Sequence, residues 1–137
     1  PNNFLIETSA TNNIRIVWKG LPVTRYPVAS DRAHAYAYCA NKQNKFTALS
    51  KELFLHPESL QEADLVAAAQ RAGLSEKQLA SCLASTEPAD HIDKTKNIAD
   101  MLKLQTVPAI FLNNTPIPKN DFASASALEA YLGLHKE

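Results

Sequence analysis

Residues 106 to 114 read Thr106-Val107-Pro108-Ala109-Ile110-Phe111-Leu112-Asn113-Asn114. Ala109 to Leu112 is a short apolar strand entered through a Val-Pro pair. Proline lacks the N–H that a ladder needs, so it belongs at the first residue of a strand or on an edge. The bond before proline is also the peptide bond that goes cis at modest cost. A cis bond at Val107–Pro108 would lay the Val107 backbone open to a ligand; the alternative is a proline that merely starts the strand. Asn113-Asn114 closes the strand as a turn. Thr115-Pro116-Ile117-Pro118 follows as a short edge strand, because its prolines cannot pair on both sides.

Working outward, Ile14-Arg15-Ile16-Val17-Trp18-Lys19 is β-branched, aromatic and alternating, the pattern of a strand. Asn12-Asn13 before it and Gly20 after it are turn signals. Leu21 to Pro27 is an extended, proline-punctuated connection. Ser30 or Asp31 caps a helix through Ala33 to Ala40, with Tyr36, Cys39 and Ala40 on one face. Asn44 can take the left-handed conformation that ends it. Phe46, Leu49, Leu53 and Phe54 form the stripe of a second helix, stopped by Pro57. Asp64 caps a third through Leu65 to Ala72, with Gly73 as its C-terminal cap. Ser75 and Gln78 form a capping box for a fourth carrying Leu79, Cys82 and Leu83, followed by Pro88. Ile92, Thr95, Ile98, Ala99 and Leu102 mark a fifth, and Asp121 or Ser124 caps a last helix with Leu128, Tyr131 and Leu132. The order is strand, several helices, strand, strand, helix. The helical block is too long for one crossover, so it reads as an insertion into a small α/β sheet.

A chain of 137 residues is one domain, large enough for a single core. Fourteen basic residues balance 14 acidic ones, for a net charge of zero. That argues against nucleic acid as a partner, which wants a basic patch, and against an anionic membrane surface. No apolar run reaches the roughly 20 residues of a membrane span. The two cysteines, Cys39 and Cys82, are too far apart for a Cys-x-x-Cys dithiol. His34, His56, His91 and His135 stand singly, without metal-ligand spacing, so neither a metal nor a cofactor is expected.

Val107-Pro108-Ala109-Ile110-Phe111-Leu112-Asn113-Asn114 resembles the cis-proline strand of the thioredoxin superfamily, and within it the V-P-A-x-F-x-N-G of DsbA-like thiol–disulfide oxidoreductases. Ile14 to Val23 resembles that family's V-R-V-V-F-K-x-x-P. Ala40 to Phe46 resembles A-x-x-Q-G-K-F, with Asn44 replacing the glycine. Gly73-Leu74 followed by Leu79 to Leu83 resembles G-L-D…F-x-x-C-L. Lys103 and Thr106 stand where the family often has glycines. The resemblance implies a thioredoxin-like α/β sheet, residues 1–29 and 104–137, carrying an inserted helical subdomain, residues 30–103. The family's first strand and Cys-x-x-Cys are missing, and residues 1–13 take the place of the end of its first helix. The natural protein is therefore expected to be longer at its N-terminus, or another chain or the Phe4-Leu5-Ile6 run fills the place of the absent strand.

The resemblance also assigns roles. Val107 and Pro108 would grip an extended peptide, main-chain pairing giving affinity with little sequence demand. Cys39 and Cys82 would form a structural disulfide between inserted helices, in an oxidising compartment. Their alternative is a pair of buried, inert thiols. Trp18, Tyr36, Tyr38 and Phe111 read as packing residues, with a substrate groove as the alternative for one or two of them. His34 and His91 read as surface residues near helix starts.

Three functions follow. The first is a periplasmic or otherwise extracytoplasmic thiol–disulfide oxidoreductase. In it a thiolate attacks a disulfide and a second cysteine resolves the mixed disulfide. Its catalytic cysteines would lie outside these residues, so the chain alone would be inactive. Its partners would be extended peptides or cysteine-containing proteins, a redox partner protein and, as in isomerases of this class, a second copy in a homodimer. The second is a non-catalytic thioredoxin-like module for peptide binding or assembly. The third is an enzyme like the kappa-class glutathione transferases and hydroxychromene isomerases.

Overall fold

The computed structural model describes residues 14–23, 29–57 and 60–134. Asn12-Asn13, the Phe4-Leu5-Ile6 run and the helix end expected over residues 1–13 lie outside the described residues, as do Thr24 to Pro27 and His135. The chain separates into two units, Lys19–Leu102 and a second made of Pro1–Trp18 with Lys103–Glu137.

The first unit is built on α1, Asp31–Lys42. Its Ala33, Tyr36, Cys39 and Ala40 are buried; three to four residues apart, they share one stripe of the helix. α2 (Phe46–Leu55), α3 (Glu62–Arg71), α4 (Glu76–Ala84) and α5 (Glu87–Met101) all pack on α1. Alanines at 33 and 40 keep its surface low enough for that. Leu49, Leu65, Leu74 and Leu79 complete the core.

The junctions follow local chemistry. Asn44 has φ 57°, and Lys45 N–H reaches back to Ala40 C=O at 2.8 Å, closing α1. Gly73 has φ 73°, and Leu74 N–H bonds Ala69 C=O at 3.0 Å, the six-to-one bond of a glycine-ended helix. α2 ends at Leu55, two residues before Pro57. α3 starts earlier than expected. Gln61 takes the N-cap with extended backbone, and Asp64 lies inside the first turn with Glu62, where a carboxylate faces the positive end of the helix dipole. Ser75 Oγ accepts from Gln78 N–H at 3.5 Å. The other half of the expected capping box is taken by a distant residue: Ser75 N–H donates to Gln43 Oε1 at 2.8 Å. Pro88 opens α5, where a missing N–H costs nothing.

In the second unit, β1 (Phe111–Leu112) and β2 (Thr115–Pro116) form an antiparallel hairpin. A 3₁₀ turn (Lys119–Phe122) and α6 (Ala125–Tyr131) follow. Ser124 caps α6, its Oγ accepting from Ala127 N–H at 3.1 Å, while Asp121 belongs to the 3₁₀ turn. Ile117 and Leu128 are buried.

The expectation of a strand at Ile14 to Lys19 is not met. Residues 14–20 carry no regular structure, and Val17 and Trp18 are exposed. A strand is defined by its ladder, and among the described residues this segment has no neighbour to pair with. The described structure is therefore mostly helical, six α-helices with one two-stranded sheet, rather than the fuller α/β sheet expected.

Candidate functional site

The hairpin is the site that sequence reasoning singled out. Its two-residue loop, Asn113-Asn114, has φ 48° and 69°. Both positive values are what a type I′ turn demands. Leu112 pairs with Thr115 and Phe111 with Pro116. Ile117 N–H donates to Ile110 C=O at 2.8 Å.

Antiparallel partners alternate between hydrogen-bonded and non-bonded pairs. With Ile110 and Ile117 bonded, Phe111 and Pro116 fall on a non-bonded pair. Pro116 thus needs no N–H toward β1, which explains how a proline sits in β2. By the same alternation Phe111 points its N–H and C=O to the other edge of β1. Among the described residues no strand covers that edge.

The segment leading into β1 is exposed. The Val107–Pro108 bond is cis, and Val107 and Pro108 are both open to solvent. Lys103, just after α5, has φ 52°. Phe111 and Leu112 are exposed as well. An open strand edge with apolar side chains beside it can receive an extended peptide as an additional strand.

Cys39 and Cys82 lie in the first unit and are bonded to one another, with Cα atoms 5.8 Å apart. The bond ties α1 to α4 and leaves no free cysteine among the described residues. Neither sulfur is then available as a thiolate for exchange. The aromatic residues divide. Tyr36 is buried and Tyr38 half-buried, with its ring 5.0 Å from that of His91. Trp18 and Phe111 are exposed instead of packed, because no layer covers their segments among the described residues. His34 and His91, expected on the surface, are half-buried. Burial holds both imidazoles below their ordinary value; Lys19 and Lys94 add to the effect at His91.

Sequence reasoning missed a polar cluster at the start of α3. Arg32 Nε donates to Glu62 Oε2 at 2.8 Å and its Nη2 to Oε1 at 2.9 Å. Tyr36 Oη–H donates to the same Oε1 at 2.7 Å. The Arg32 hydrogen bonds, then that of Tyr36, hold the Glu62 carboxyl at about 2. Burial, then the bond to Glu62, pushes the Tyr36 phenol up to about 12. Arg32 and Tyr36 are one helical turn apart, but nothing in their spacing names a partner 26 to 30 positions away. A second cluster joins Lys42 and Tyr38 to Glu87; the Lys42 bond lowers the Glu87 carboxyl. No three His, Cys, Asp or Glu side chains gather as a metal site among the described residues.

Comparison with known proteins supplies the class. The family described as thioredoxin matches residues 5–131, and the chain belongs to that family. The Na(+)/H(+) antiporter NhaA 3 of Salinispora tropica is 31% identical over 102 residues. The Na(+)/H(+) antiporter NhaA 1 of Salinispora arenicola is 33% identical over 102 residues. Each match covers 74% of this chain and 16% of the relative, so the chain spans about a sixth of those proteins. No solved structure matches the chain significantly.

Proposed function

We propose that this chain is the peptide-binding part of a DsbA-like thiol–disulfide oxidoreductase, with the redox Cys-x-x-Cys outside these 137 residues. The observation that supports this best is the open edge of β1 beside exposed Val107 and Pro108 in a thioredoxin-family chain. In this reading the chain's own residues orient the substrate. Main-chain groups at Val107 and along β1 hold an extended segment while an external thiolate attacks its disulfide. The attack forms a mixed disulfide and expels one substrate thiolate; the second cysteine of the Cys-x-x-Cys then attacks the first cysteine's sulfur, closing the disulfide between the two and releasing the substrate's other thiolate. This reading assigns residues 1–29 and 104–137 to the family's sheet portion and residues 30–103 to its inserted helical subdomain, although residues 14–20 form no strand here.

The Cys39–Cys82 bond supports an extracytoplasmic location, since disulfides persist in oxidising compartments. The same bond favours a second reading, a non-catalytic peptide-binding or assembly module, because no described thiol is free. Antiport forms no part of this reading. The match covers only 16% of the antiporters, and no described helix is long and apolar enough to cross a membrane.

The two sources of peptide affinity separate by mutation. If main-chain pairing dominates, Val107→Ala leaves binding of an extended, cysteine-containing peptide within about twofold. Val107→Pro removes the N–H and weakens binding roughly tenfold, the size of one to two hydrogen bonds. Equal losses from both variants, read by calorimetry on the full chain, would overturn main-chain recognition.

A further inference from the structure

α3 and α4 both pack on α1, and a cleft of about 590 Å³ opens between them. Val66 and Ala69 of α3 form one wall, and Leu79, Ala80 and Leu83 of α4 the other. Clefts of this size, apolar with a few polar groups, are the usual form of small-molecule sites.

Polar pairs bound the cleft at two places. Where the turn at Leu74 joins the walls, Gln70 Nε2 donates to Glu76 Oε1 at 3.0 Å. About 12 Å back along α3, at about 1.5 Å per residue, Glu62 holds Arg32 and Tyr36. Both bridges are made by residues that line the cleft, so the apolar stretch between them is short. They leave room for a molecule of limited length.

The charges at the two places differ. Arg32 and Glu62 cancel one another through two hydrogen bonds. Glu76 meets the neutral amide of Gln70 and has no ion pair among the described residues. Glu76 stands in the first turn of α4, where, among the described residues, only the helix dipole and the Gln70 amide face it, so the rim of an otherwise apolar cleft carries one carboxylate without a cationic partner.

We propose that this cleft binds a small amphiphile with an apolar body and one cationic end. The body lies on Val66, Ala69, Ala80 and Leu83, and the cation sits at Glu76. Binding here requires no thiol exchange and no peptide at β1.

The test titrates octylammonium, octanoate and 1-octanol into the full chain, below their micelle concentrations, and follows backbone amide shifts. Octylammonium is expected to saturate the shifts of Val66, Ala69 and Leu83 at a concentration about fivefold lower than octanoate, the size of an exposed charge attraction in place of a repulsion. Octanol is expected in between. Glu76→Gln removes the difference between the two ions and leaves octanol unchanged. Ala80→Phe, at an exposed position on the wall, weakens all three. Octanoate binding as tightly as octylammonium to the unmutated chain would overturn the proposal. So would shifts confined to other surfaces, or binding that Ala80→Phe leaves intact.

Discussion

Gly20 and His34 meet more closely than any other side chain at position 20 would allow. A Cβ built on Gly20 falls 2.4 Å from His34 Nδ1 and 2.9 Å from its Cε1. Gly20→Ala therefore forces the half-buried ring or the chain at 20 to move. The expected loss is about 1–3 kcal/mol in urea unfolding, the usual cost of overpacking. Adding His34→Ala relieves the clash, so the double mutant is expected to lose less than the sum of the singles. Additive losses would place the strain elsewhere. The sequence showed Gly20 only as a turn signal; the contact that makes glycine necessary comes from α1, further along the chain.

Glu62 and His34 also set a pH dependence. The folded Glu62 carboxyl sits at about 2, below its ordinary 4.5. Its contribution is present above about pH 4.5 and is lost as pH falls toward about 2. The His34 imidazole is also lowered, by burial. The unfolded chain then binds this proton more readily, so stability falls as pH drops below about 6.5. Both groups act in the same direction. Glu62 is largely solvent-exposed, so solvent screening limits its share to about 1 kcal/mol or less. In unfolding curves from neutral to acid pH, Glu62→Gln is expected to flatten the lower part of the decline and His34→Ala the upper part. A decline unchanged in both variants would contradict these assignments.

At the scale of elements, the helices were legible and their connections partly so. Tyr36, Cys39 and Ala40 at helical spacing fixed α1 and its buried face, Asn44 and Gly73 marked two helix ends, and Ser75 marked a start. Those signals work because each is carried by residues within one or two turns of each other. The capping of Ser75 by Gln43 was not legible, because the donor and acceptor lie 32 positions apart. Gln43→Ala hands the exposed Ser75 N–H to water, and about 0.5–1.5 kcal/mol is expected to be lost. Faster hydrogen exchange at Ser75 is the specific sign; an unchanged rate would show that the side chain does not protect it. The Ile14 to Lys19 pattern misled for a related reason. Alternation reports a segment suited to a sheet, but only a neighbouring strand makes it one.

The hairpin yields a sharper test at this scale. Asn114 at φ 69° suits asparagine and glycine and disfavours a β-branched residue. Asn114→Gly is expected to be neutral or slightly stabilising, and Asn114→Val to cost roughly 1–2 kcal/mol and loosen the Ile117 to Ile110 bond in hydrogen exchange. Equal stability of the two variants would contradict the turn assignment.

At the scale of the molecule, α1 is the element that every other helix of its unit touches, and the Cys39–Cys82 bond fixes it to α4. Removing that bond with paired Cys39→Ala and Cys82→Ala changes is expected to cost about 2–4 kcal/mol, mainly through the unfolded chain. The candidate site was legible as Val107 and Pro108, because proline and a short apolar run punctuate the sequence. The α3–α4 cleft was not, since its walls are ordinary helix faces until three-dimensional packing sets them apart.

The central claim concerns the function of the open β1 edge, and it is tested most directly by top-down mass spectrometry of the naturally expressed, non-reduced protein. The prediction is a closed Cys39–Cys82 bond together with a Cys-x-x-Cys ahead of Pro1. A natural protein with no such cysteine pair would contradict the oxidoreductase reading and leave the non-catalytic peptide-binding module in its place.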